Sequence, residues 1–477
     1  MLLSRTIELR SFSKWGFTLP GMSSLQRRCQ YTFASRDHLQ GQRIRTDREY
    51  SPSLSFVPHK SKTKRRRGSF FKQNRVLESA TLPPSVRQHD VFLNPENNTL
   101  IFRRVAYGNG RTFDFPVPLQ WLRDHCHCDK CVHPSTKQRL IETFYDIPAD
   151  IKTSSVEEDS VGFKVLWIDG HESYYTKDWL TTPMDFGTKF TNRQGWVDPI
   201  FWTGESIKND PPTVDFSDVM SSDEGLTNWL EKIKQYGFCY VDNTPVSPEE
   251  TEKLIERIAY IRNTHYGGFW DFTSDLSKGD TAYTQLGIGP HTDNTYFSDP
   301  AGLQLFHLLS HTDGEGGTSG LVDGFAAARE LQKQDPQAYD LLSTVKVYSH
   351  ASGNADSSIQ PYAAFPTLLH DDKMGALIQV RWNTTDRAQV DTPLNLMDEW
   401  YKAARKWSNI LKEFEYQEQL RPGKALIFDN WRVLHARSAF TGKRRMCGGY
   451  VNRDDFISKW KMLKYGRDEV LKQVSAR

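Results

Sequence analysis

The tetrad His291-Thr292-Asp293-Asn294 places an imidazole and a carboxylate two residues apart, in a segment whose pattern is typical of a β-strand. Because successive strand side chains point to opposite faces, residues i and i+2 share a face and can bind one ion together. A second apolar segment, residues 425–428, is followed by His435. Two histidines and one carboxylate leave three positions open on non-haem Fe(II) for oxygen chemistry, so this set predicts an oxygenase.

The His-x-Asp triplet alone identifies no site, because surface and turn pairs of this kind are common. The chain contains such triplets beginning at His127, His291, His311 and His370. The first lies among cysteines, the third runs into a glycine-rich turn and the fourth precedes a polar loop. Only the second continues into an alternating apolar segment, residues 302–308, which predicts a strand.

The composition is that of a soluble globular protein of two or three domains, with 477 residues, 38% hydrophobic and 25% charged. No run of about eighteen apolar residues occurs, so we predict no transmembrane helix and no membrane partner. The net charge of +2 gives no reason to expect a nucleic-acid partner. Six cysteines, three of them within residues 126–131, favour a metal site in a reducing compartment over a disulfide framework.

The N-terminal segment is basic, with a single acid, Glu8, in its first 36 residues. This composition is typical of a cleavable mitochondrial presequence and predicts a mitochondrial matrix protein; the alternative is a tail without an address on a cytoplasmic protein. The basic tract at 60–67 is more often a solvated linker than a nuclear or nucleic-acid-binding tract. We therefore predict that residues 1–85 are a disordered presequence and linker.

The remaining chain is predicted to form two domains. Short strands separated by turns between residues 90 and 180 predict a β-rich module, which we bound at 86–185. In the second domain, 186–477, helical spacing at 224–236 and 249–262 precedes a region dominated by strands. Helices near 323–333 and 394–416 interrupt that region.

An open iron site of this type accommodates a bidentate oxo-acid and O2. The distant carboxylate of a 2-oxo acid is best held by the planar fork of an arginine. Arg444 follows a turn at Thr441-Gly442, which would return it on the strand beside His435. Arg437 is a second candidate, and either arginine could instead be a surface residue.

Several separated blocks of sequence carry a family resemblance. They are residues 279–284, 291–297, 321–325, 429–435 and 450–455. Over about residues 90 to 465 the chain resembles the γ-butyrobetaine hydroxylase and trimethyllysine dioxygenase family. The resemblance implies an α+β, mainly β fold, with a double-stranded β-helix (jelly-roll) core that uses Fe(II) and 2-oxoglutarate, and a small zinc-stapled N-terminal domain.

The resemblance also implies an activity. The expected reaction is hydroxylation of trimethyllysine at C3, with O2 consumed and succinate and CO2 formed, as the first step of carnitine biosynthesis. L-Ascorbate is the expected reductant and a homodimer the expected assembly. The alternatives are a γ-butyrobetaine hydroxylase and a non-enzymatic methyl-lysine binding module.

By position, the resemblance implies that His291, Asp293 and His435 are the iron ligands and that Arg444 binds 2-oxoglutarate. Ser319 stands where related dioxygenases often carry a threonine near the cosubstrate. Because a hydroxyl is kept, we expect a similar hydrogen bond.

A quaternary ammonium has no N–H to donate, so aromatic faces must recognise it. The resemblance implies a cage formed by Tyr266, Trp270, Tyr283 and Tyr450. Core packing is the alternative role for these side chains, because 12% of the chain is aromatic.

The two substrates of the family differ at their other end, since trimethyllysine has an α-ammonium that γ-butyrobetaine lacks. An acidic residue at the pocket mouth favours the amino acid. The resemblance implies that Asp280 has this role, because it stands where the butyrobetaine enzymes tend to carry a neutral amide. A turn residue after Gly279 is the alternative. Asn294 and Asn383 are candidates for binding the substrate carboxylate.

Cys126, Cys128 and Cys131 have a spacing suited to tetrahedral Zn(II) with a fourth ligand from elsewhere. The resemblance implies that His171 is the fourth ligand. On sequence alone it competes with His125, His127 and His133. Four protein ligands leave no open position, so the site would be structural; unligated buried cysteines are the alternative.

Overall fold

A computed structural model describes residues 89–94, 99–105, 112–177, 179–180, 197–273, 284–372 and 375–475. The predicted presequence and linker, residues 1–85, lie outside these ranges, as do the candidate substrate residues Asp280 and Tyr283. The predicted boundary between the two domains falls within 181–196, also outside, and stays a prediction.

The N-terminal module consists of two antiparallel three-stranded sheets. The first contains β1 (His89–Asn94), β2 (Thr99–Val105) and β3 (Thr112–Pro118), and the second contains β4 (Thr153–Glu158), β5 (Gly162–Trp167) and β6 (Glu172–Thr176). Two short helices, α1 (Leu119–Asp124) and α2 (Thr143–Asp146), lie between the sheets in the sequence. Phe102, Phe163 and Trp167 are almost fully buried in one apolar core, which confirms the predicted β-rich module.

The rest of the described chain contains two further large sheets and their covering helices. The helices are α3 (Gly204–Ile207), α4 (Phe216–Ser221), α5 (Asp223–Tyr236), α6 (Pro248–Glu256), α7 (Gly324–Gln334), α8 (Pro336–Thr344), α9 (Leu394–Glu413) and α10 (Arg453–Ser475). The strands are β7 (Thr213–Asp215), β8 (Phe238–Asp242), β9 (Trp270–Thr273), β10 (Ile288–His291), β11 (Leu303–Thr312), β12 (Ser319–Asp323), β13 (Lys346–Val347), β14 (Phe365–Pro366), β15 (Leu368–His370), β16 (Leu377–Val380), β17 (Tyr416–Glu418), β18 (Lys424–Asp429), β19 (Val433–Arg437) and β20 (Lys443–Val451).

The two sheets form the jelly roll. The larger sheet has the strand order β7-β8-β18-β11-β20-β9, and the smaller has the order β10-β19-β12-β17. Strands close in space are therefore distant in sequence, as expected of a double-stranded β-helix. Two small hairpins, β13-β14 and β15-β16, are additions to this core.

Strand β18 shows how the layers are built, because every one of its residues is buried. Ala425 and Ile427 pack on one side against α5, α6 and α10. Leu426 and Phe428 point to the other side, into the core shared by the two sheets. Because side chains alternate between the two faces of a strand, β18 contributes residues to two apolar cores. A third core joins the smaller sheet to α7, α8 and α9.

The predicted helices differ from the observed ones mainly at their ends. Helix α6 begins as predicted, with Pro248 in its first turn and the Ser247 side chain accepting a bond from the Glu250 backbone N–H. It ends at Glu256, so the prediction that it extends to 262 is wrong. Helix α8 was not predicted; its start is capped by the Asp335 side chain. Within the described ranges, no helix has the length and apolar character needed to cross a membrane.

Candidate active site and metal-binding groups

Strand pairing brings two histidines together at the edge of the smaller sheet. His291 is the last residue of β10 and lies directly opposite His435 in β19. The centroids of their imidazole rings are 4.1 Å apart. On its other side β19 pairs with β12, where Leu321 faces His435, so His435 belongs to an interior strand with a fixed register.

The carboxylate of Asp293 completes the group from outside the strand. The prediction that His291 and Asp293 share a strand is wrong, since β10 ends at His291 and Asp293 lies in a turn. The Asp293 Oδ1 atom lies 3.3 Å from His291 Nε2 and 3.8 Å from His435 Nε2. The ligand atoms of the three residues all lie within 4.8 Å of one another, which suits a single divalent ion.

The pKa values of His291, His435 and Asp293 depend on one another. His291 Nδ1 lies 2.9 Å from the Gly289 carbonyl, to which it donates as Nδ1–H, so Nε2 is the nitrogen that faces Asp293. Burial would lower the pKa of His291, but the hydrogen bond to Asp293 and the charge of Asp293 raise it above its usual value. Burial, and then the charge of His291, lower the pKa of His435 to about 3, so that imidazole is neutral. Burial would raise the pKa of Asp293, but His435 and His291 hold it well below its usual value. Fe(II) requires neutral imidazoles and an ionised carboxylate, so His291 would have to release any proton that it shares with Asp293 when the ion binds.

Three residues hold Asp293 in place, and two of them, Gln304 and Asn430, were not predicted as site residues. Gln304 Nε2 donates to Asp293 Oδ2 at 2.8 Å, and the Tyr450 hydroxyl donates to the same oxygen at 2.7 Å. The Asn430 side chain accepts from the Asp293 backbone N–H at 2.7 Å and donates to its carbonyl at 3.0 Å. Gln304 carried a sequence signal, because it is a polar residue between apolar residues of a strand. The structure buries it, with 2% of the residue exposed.

The group opens into a cavity of about 130 Å³. Aromatic side chains form one part of its wall: Tyr266, Trp270, Tyr296 and Tyr450. The rings of Trp270 and Tyr450 are 6.4 Å apart and nearly perpendicular, and the hydroxyls of Tyr296 and Tyr266 lie within 3.3 Å. The structure thus brings three of the four predicted cage residues to one cavity. Tyr296 was not predicted.

Two arginines, Arg437 and Arg444, also line the cavity. Arg437 Nη2 donates to the carbonyls of Thr284 and Leu286, at 2.7 and 2.8 Å. Arg444 is 4% exposed, and within the described ranges its Nε has no hydrogen-bond partner. Burial and the neighbouring Arg437 lower the pKa of Arg444 to about 10. A buried guanidinium whose Nε has no acceptor among the described residues is suited to bind an anion.

Arg444 reaches this position by a route that differs from the prediction. Strands β19 and β20 belong to different sheets, so the turn at Gly442 carries the chain across the jelly roll instead of to the neighbouring strand. Gly442 has φ 80° and a side chain there would collide with the Thr312 carbonyl oxygen. Ser319 also lines the cavity, at the start of β12, and pairs with Arg437 of β19.

The two candidate asparagines lie in different places. Asn383 lines the cavity. Asn294 is not among the described residues lining the cavity; it is 1% exposed and its Nδ2 lies 3.4 Å from the Tyr296 hydroxyl. Its φ of 61° shapes the turn that carries Asp293, so its position supports a role in the turn and not in substrate binding.

A second group of metal-binding side chains lies in the N-terminal module. His171 Nε2 is 3.3, 3.5 and 3.4 Å from the sulfurs of Cys126, Cys128 and Cys131. All four ligand atoms lie within 4.8 Å of one another. Burial and the neighbouring Cys126 raise the pKa of Cys131 to about 12. A dication would offset this crowding of thiolates, and three sulfurs with one imidazole match the preference of zinc.

The histidines that competed with His171 in the sequence have other partners. His125 Nδ1 bonds the Trp121 carbonyl, and His133 Nδ1 accepts from two backbone N–H groups. His127 packs edge-on against Trp179. The cluster is further held by Arg123, which donates to Cys131 Sγ and to the Asp169 carboxylate.

Comparison with known proteins agrees with this architecture. Residues 203–450 match the family described as "Taurine catabolism dioxygenase TauD, TfdA family". Residues 97–181 match "Gamma-butyrobetaine hydroxylase-like, N-terminal". Among solved structures, a taurine dioxygenase from Burkholderia xenovorans aligns at 11% identity over 54% of this chain and 89% of that chain, with a TM-score of 0.39; a match this weak adds nothing to the assignment.

Relatives of similar length are more informative. A trimethyllysine dioxygenase of Neurospora crassa is 46% identical over 396 residues, which cover 75% of this chain and 83% of that protein. The human "Trimethyllysine dioxygenase, mitochondrial" is 38% identical, with 72% and 82% covered. A gamma-butyrobetaine dioxygenase of Pongo abelii is 30% identical, with 73% and 91% covered. The chain therefore belongs to the TauD/TfdA family of iron- and 2-oxoglutarate-dependent dioxygenases, in the branch that contains the trimethyllysine dioxygenases.

Proposed function

We propose that this dioxygenase hydroxylates trimethyllysine at C3. The observation that carries the proposal is one cavity lined by an open three-ligand group, a set of aromatic side chains and a buried arginine whose Nε has no hydrogen-bond acceptor among the described residues. The relatives named trimethyllysine dioxygenase reach 46% identity, whereas the relative named gamma-butyrobetaine dioxygenase reaches 30%.

His291, Asp293 and His435 would hold the iron, which when bound couples O2 and 2-oxoglutarate to hydroxylation of a C–H bond, with release of succinate and CO2. Arg444 would bind the distant carboxylate of 2-oxoglutarate through charge-assisted hydrogen bonds, with the Ser319 hydroxyl beside it. Arg437 already donates to two backbone carbonyls, those of Thr284 and Leu286. It would therefore support the site by fixing the segment that contains these two residues.

Tyr266, Trp270 and Tyr450 would orient the substrate by its trimethylammonium group. The faces of these rings attract a cation that offers no N–H, by about 0.5–2 kcal/mol each where water is excluded. Tyr283 would add a further wall, Asp280 would contact the α-ammonium, and Asn383 would bind the substrate carboxylate. Tyr283 and Asp280 lie outside the described residues, and these roles stay predictions.

The cysteine and histidine group would bind one structural Zn(II), since four protein ligands leave no position for a substrate. L-Ascorbate would keep the iron ferrous, and the protein would act as a homodimer. Vertebrate relatives are named mitochondrial, and with the basic N-terminal segment this favours the mitochondrial matrix. The reaction would be the first step of carnitine biosynthesis.

A mass-spectrometric turnover assay tests the activity. The purified protein is incubated with trimethyllysine, with and without Fe(II) and 2-oxoglutarate. We expect a product heavier by one oxygen atom, in equal amount to succinate, only when both are present. His435→Ala serves as the inactive control.

Two other outcomes would replace the proposal. Turnover of γ-butyrobetaine but not of trimethyllysine would identify a γ-butyrobetaine hydroxylase. Tight binding of a trimethylated histone peptide, without consumption of 2-oxoglutarate and unaffected by His435→Ala, would identify a methyl-lysine binding module.

A further inference from the structure

We propose that Arg381 is a positioning residue for the active site. Its guanidinium fixes the turn that carries Asp293 and Tyr296, and so sets the direction of one metal-binding carboxylate and of one wall of the cavity. The part of this inference that concerns the metal group and the substrate rests on the proposed function. Arg381 directly follows strand β16, outside the two large sheets, and is not among the described residues that line the cavity.

The guanidinium of Arg381 is buried and binds main-chain oxygens of this turn. Arg381 is 7% exposed. Its Nη2 atom donates to the carbonyls of Thr295 and Phe297, at 2.7 and 2.5 Å, and its Nη1 atom donates to the carbonyl of Ser298 over a longer distance of 3.4 Å. Burial lowers the pKa of Arg381 to about 10, and the charge of Asp299 opposes this shift, so the group stays positively charged near neutral pH.

A planar cation with several donors is suited to fixing a turn. Taking a guanidinium out of water costs free energy, and the carbonyl oxygens of the turn offset that cost only while they point at it. Because the donors of the guanidinium have a fixed geometry, the carbonyls that bind it are held in a fixed arrangement as well. The ammonium of a lysine is a single point charge on a flexible chain and does not impose such an arrangement.

The turn that Arg381 holds contains parts of the site. Tyr296 lies between two of the residues whose carbonyls bind the guanidinium, and it lines the cavity. Asp293 lies three residues before it, and its Oδ1 atom is 3.3 Å from His291 Nε2. A rotation of the turn would move the Tyr296 ring and the Asp293 carboxylate together, so the same contact affects both.

The residue after Arg381 holds the start of the same turn. Trp382 donates its backbone N–H to Thr292 Oγ1 at 3.0 Å, and its carbonyl accepts from the Thr292 backbone N–H at 2.8 Å. Thr292 lies between His291 and Asp293. Two consecutive residues, Arg381 and Trp382, therefore bind both ends of the segment 292–298.

Arg381 is itself held by the hairpins that are added to the jelly roll. Its Cζ atom lies 3.9 Å from the centroid of the Phe365 ring, which belongs to β14. Its backbone N–H donates to the Thr367 carbonyl at 2.8 Å, and the Val380 backbone N–H donates to the Trp431 carbonyl at 2.8 Å. The geometry thus gives the two hairpins a role, which is to present Arg381 to the turn of the active site.

Binding of Mn(II) to the metal-free protein tests the inference without substrate. Mn(II) prefers oxygen and nitrogen ligands, so it favours the histidine and aspartate group over the cysteines. The electron paramagnetic resonance signal of free Mn(II), which falls as the ion binds, gives its Kd. We expect Kd to rise about tenfold in Arg381→Lys and about 10- to 100-fold in Arg381→Met, the range for residues that orient a metal ligand.

Hydrogen exchange measured by mass spectrometry shows where the protein has changed. In Arg381→Lys, peptides that cover residues 292–298 should exchange about tenfold faster, whereas peptides from β11 and β18 should exchange as in wild type. A merely structural role would increase exchange in all of these peptides. Arg387→Lys is the matched control, because Arg387 also lies over an aromatic ring, that of Trp400, but donates to its neighbour Ala388. It should change neither Kd nor exchange.

The outcomes separate this inference from the proposed function. An unchanged Kd for Mn(II) in both Arg381 variants, or faster exchange throughout the jelly roll in Arg381→Lys, would overturn the positioning role while leaving the proposed function intact. A wild-type protein that does not bind Mn(II), or binds it equally well after His435→Ala, would overturn the metal group on which the proposed function depends, and this inference with it.

Discussion

The cysteine and histidine group of the N-terminal module and the histidine and aspartate group of the jelly roll both gather metal-binding side chains, but they enclose the ion to different degrees. The first has four ligands, three of them within residues 126–131, and lies apart from the cavity. The second has three ligands. They come from two strands that are distant in sequence and from the turn that follows the first strand, and all three line the cavity. A closed group supports the fold, whereas an open group leaves positions for reactants.

The side chains that contact the ligands also differ between the two groups. In the N-terminal module Arg123 contacts a ligand sulfur directly and ties it to Asp169. In the jelly roll, Gln304, Tyr450 and Asn430 orient Asp293 so that one carboxylate oxygen stays directed at the histidines. Precise orientation of few ligands is what catalysis requires, and a full set of ligands is what stability requires.

The sharpest test of this comparison removes the carboxylate of the open group. We expect Asp293→Ala to lower 2-oxoglutarate consumption by about 1,000-fold or more, because a ligand is lost and not merely reoriented. The fold should persist, since Asn430 holds the backbone of residue 293 and not its side chain. Turnover, bound iron and the far-ultraviolet circular dichroism spectrum measure these effects.

Asp372→Ala is the matched control, because Asp372 belongs to another His-x-Asp triplet and is exposed. It should behave as wild type. Turnover retained by Asp293→Ala would remove the open group from the mechanism.

Loss of a ligand from the closed group should give the opposite result. We expect His171→Ala to release zinc and to lower Tm by about 5–10 °C, because a structural ion contributes folding free energy directly. Iron content and kcat per folded molecule should change little. Elemental analysis and calorimetry measure the two effects.

His133→Ala is the control for that substitution, since sequence alone could not distinguish the two histidines. It loses only acceptor contacts to the Ser135 and Thr136 backbones, so zinc should remain. Zinc lost equally from both variants would show that the closed group has been assigned wrongly.

A smaller effect on turnover is expected at Tyr450, which belongs both to the proposed substrate cage and to the contacts of the metal-binding group. Tyr450→Phe keeps the ring in the cage but removes the hydroxyl that donates to Asp293 Oδ2. We expect kcat to fall about tenfold with little change in KM, as for other contacts that orient a metal ligand. Trp270→Phe, which changes the cage alone, should mainly raise KM. If both variants raised only KM, the hydroxyl of Tyr450 would have no part in orienting the metal.

Sequence alone went furthest where the relevant residues are close together or stand in recognisable blocks. The cysteine cluster needs only six consecutive residues, His435 was singled out because it follows an apolar segment, and the resemblance supplied His171. The structure brings each of them to its group. The strand-rich core with helices near 324 and 394 followed from periodicity, because buried faces must match their secondary structure.

Sequence reasoning failed where the position of a residue depends on contacts between segments that are distant in the chain. The placement of β19 and β20 in different sheets cannot be read from the short turn that joins them. Gln304 and Asn430 act on Asp293, which is distant from Asn430 in the chain. Polar residues in apolar strands, such as Gln304, are the signal that could have been used.

The direct pairing of His291 with His435 has a consequence for assembly of the enzyme. Strand β10 is the outermost strand of its sheet and must find β19 across a long stretch of intervening chain, a slow kind of contact to form. A slip of one position would turn an imidazole to the wrong face and scatter the ligands. Binding of one ion by all three side chains would therefore depend on β10 having paired with β19 in register.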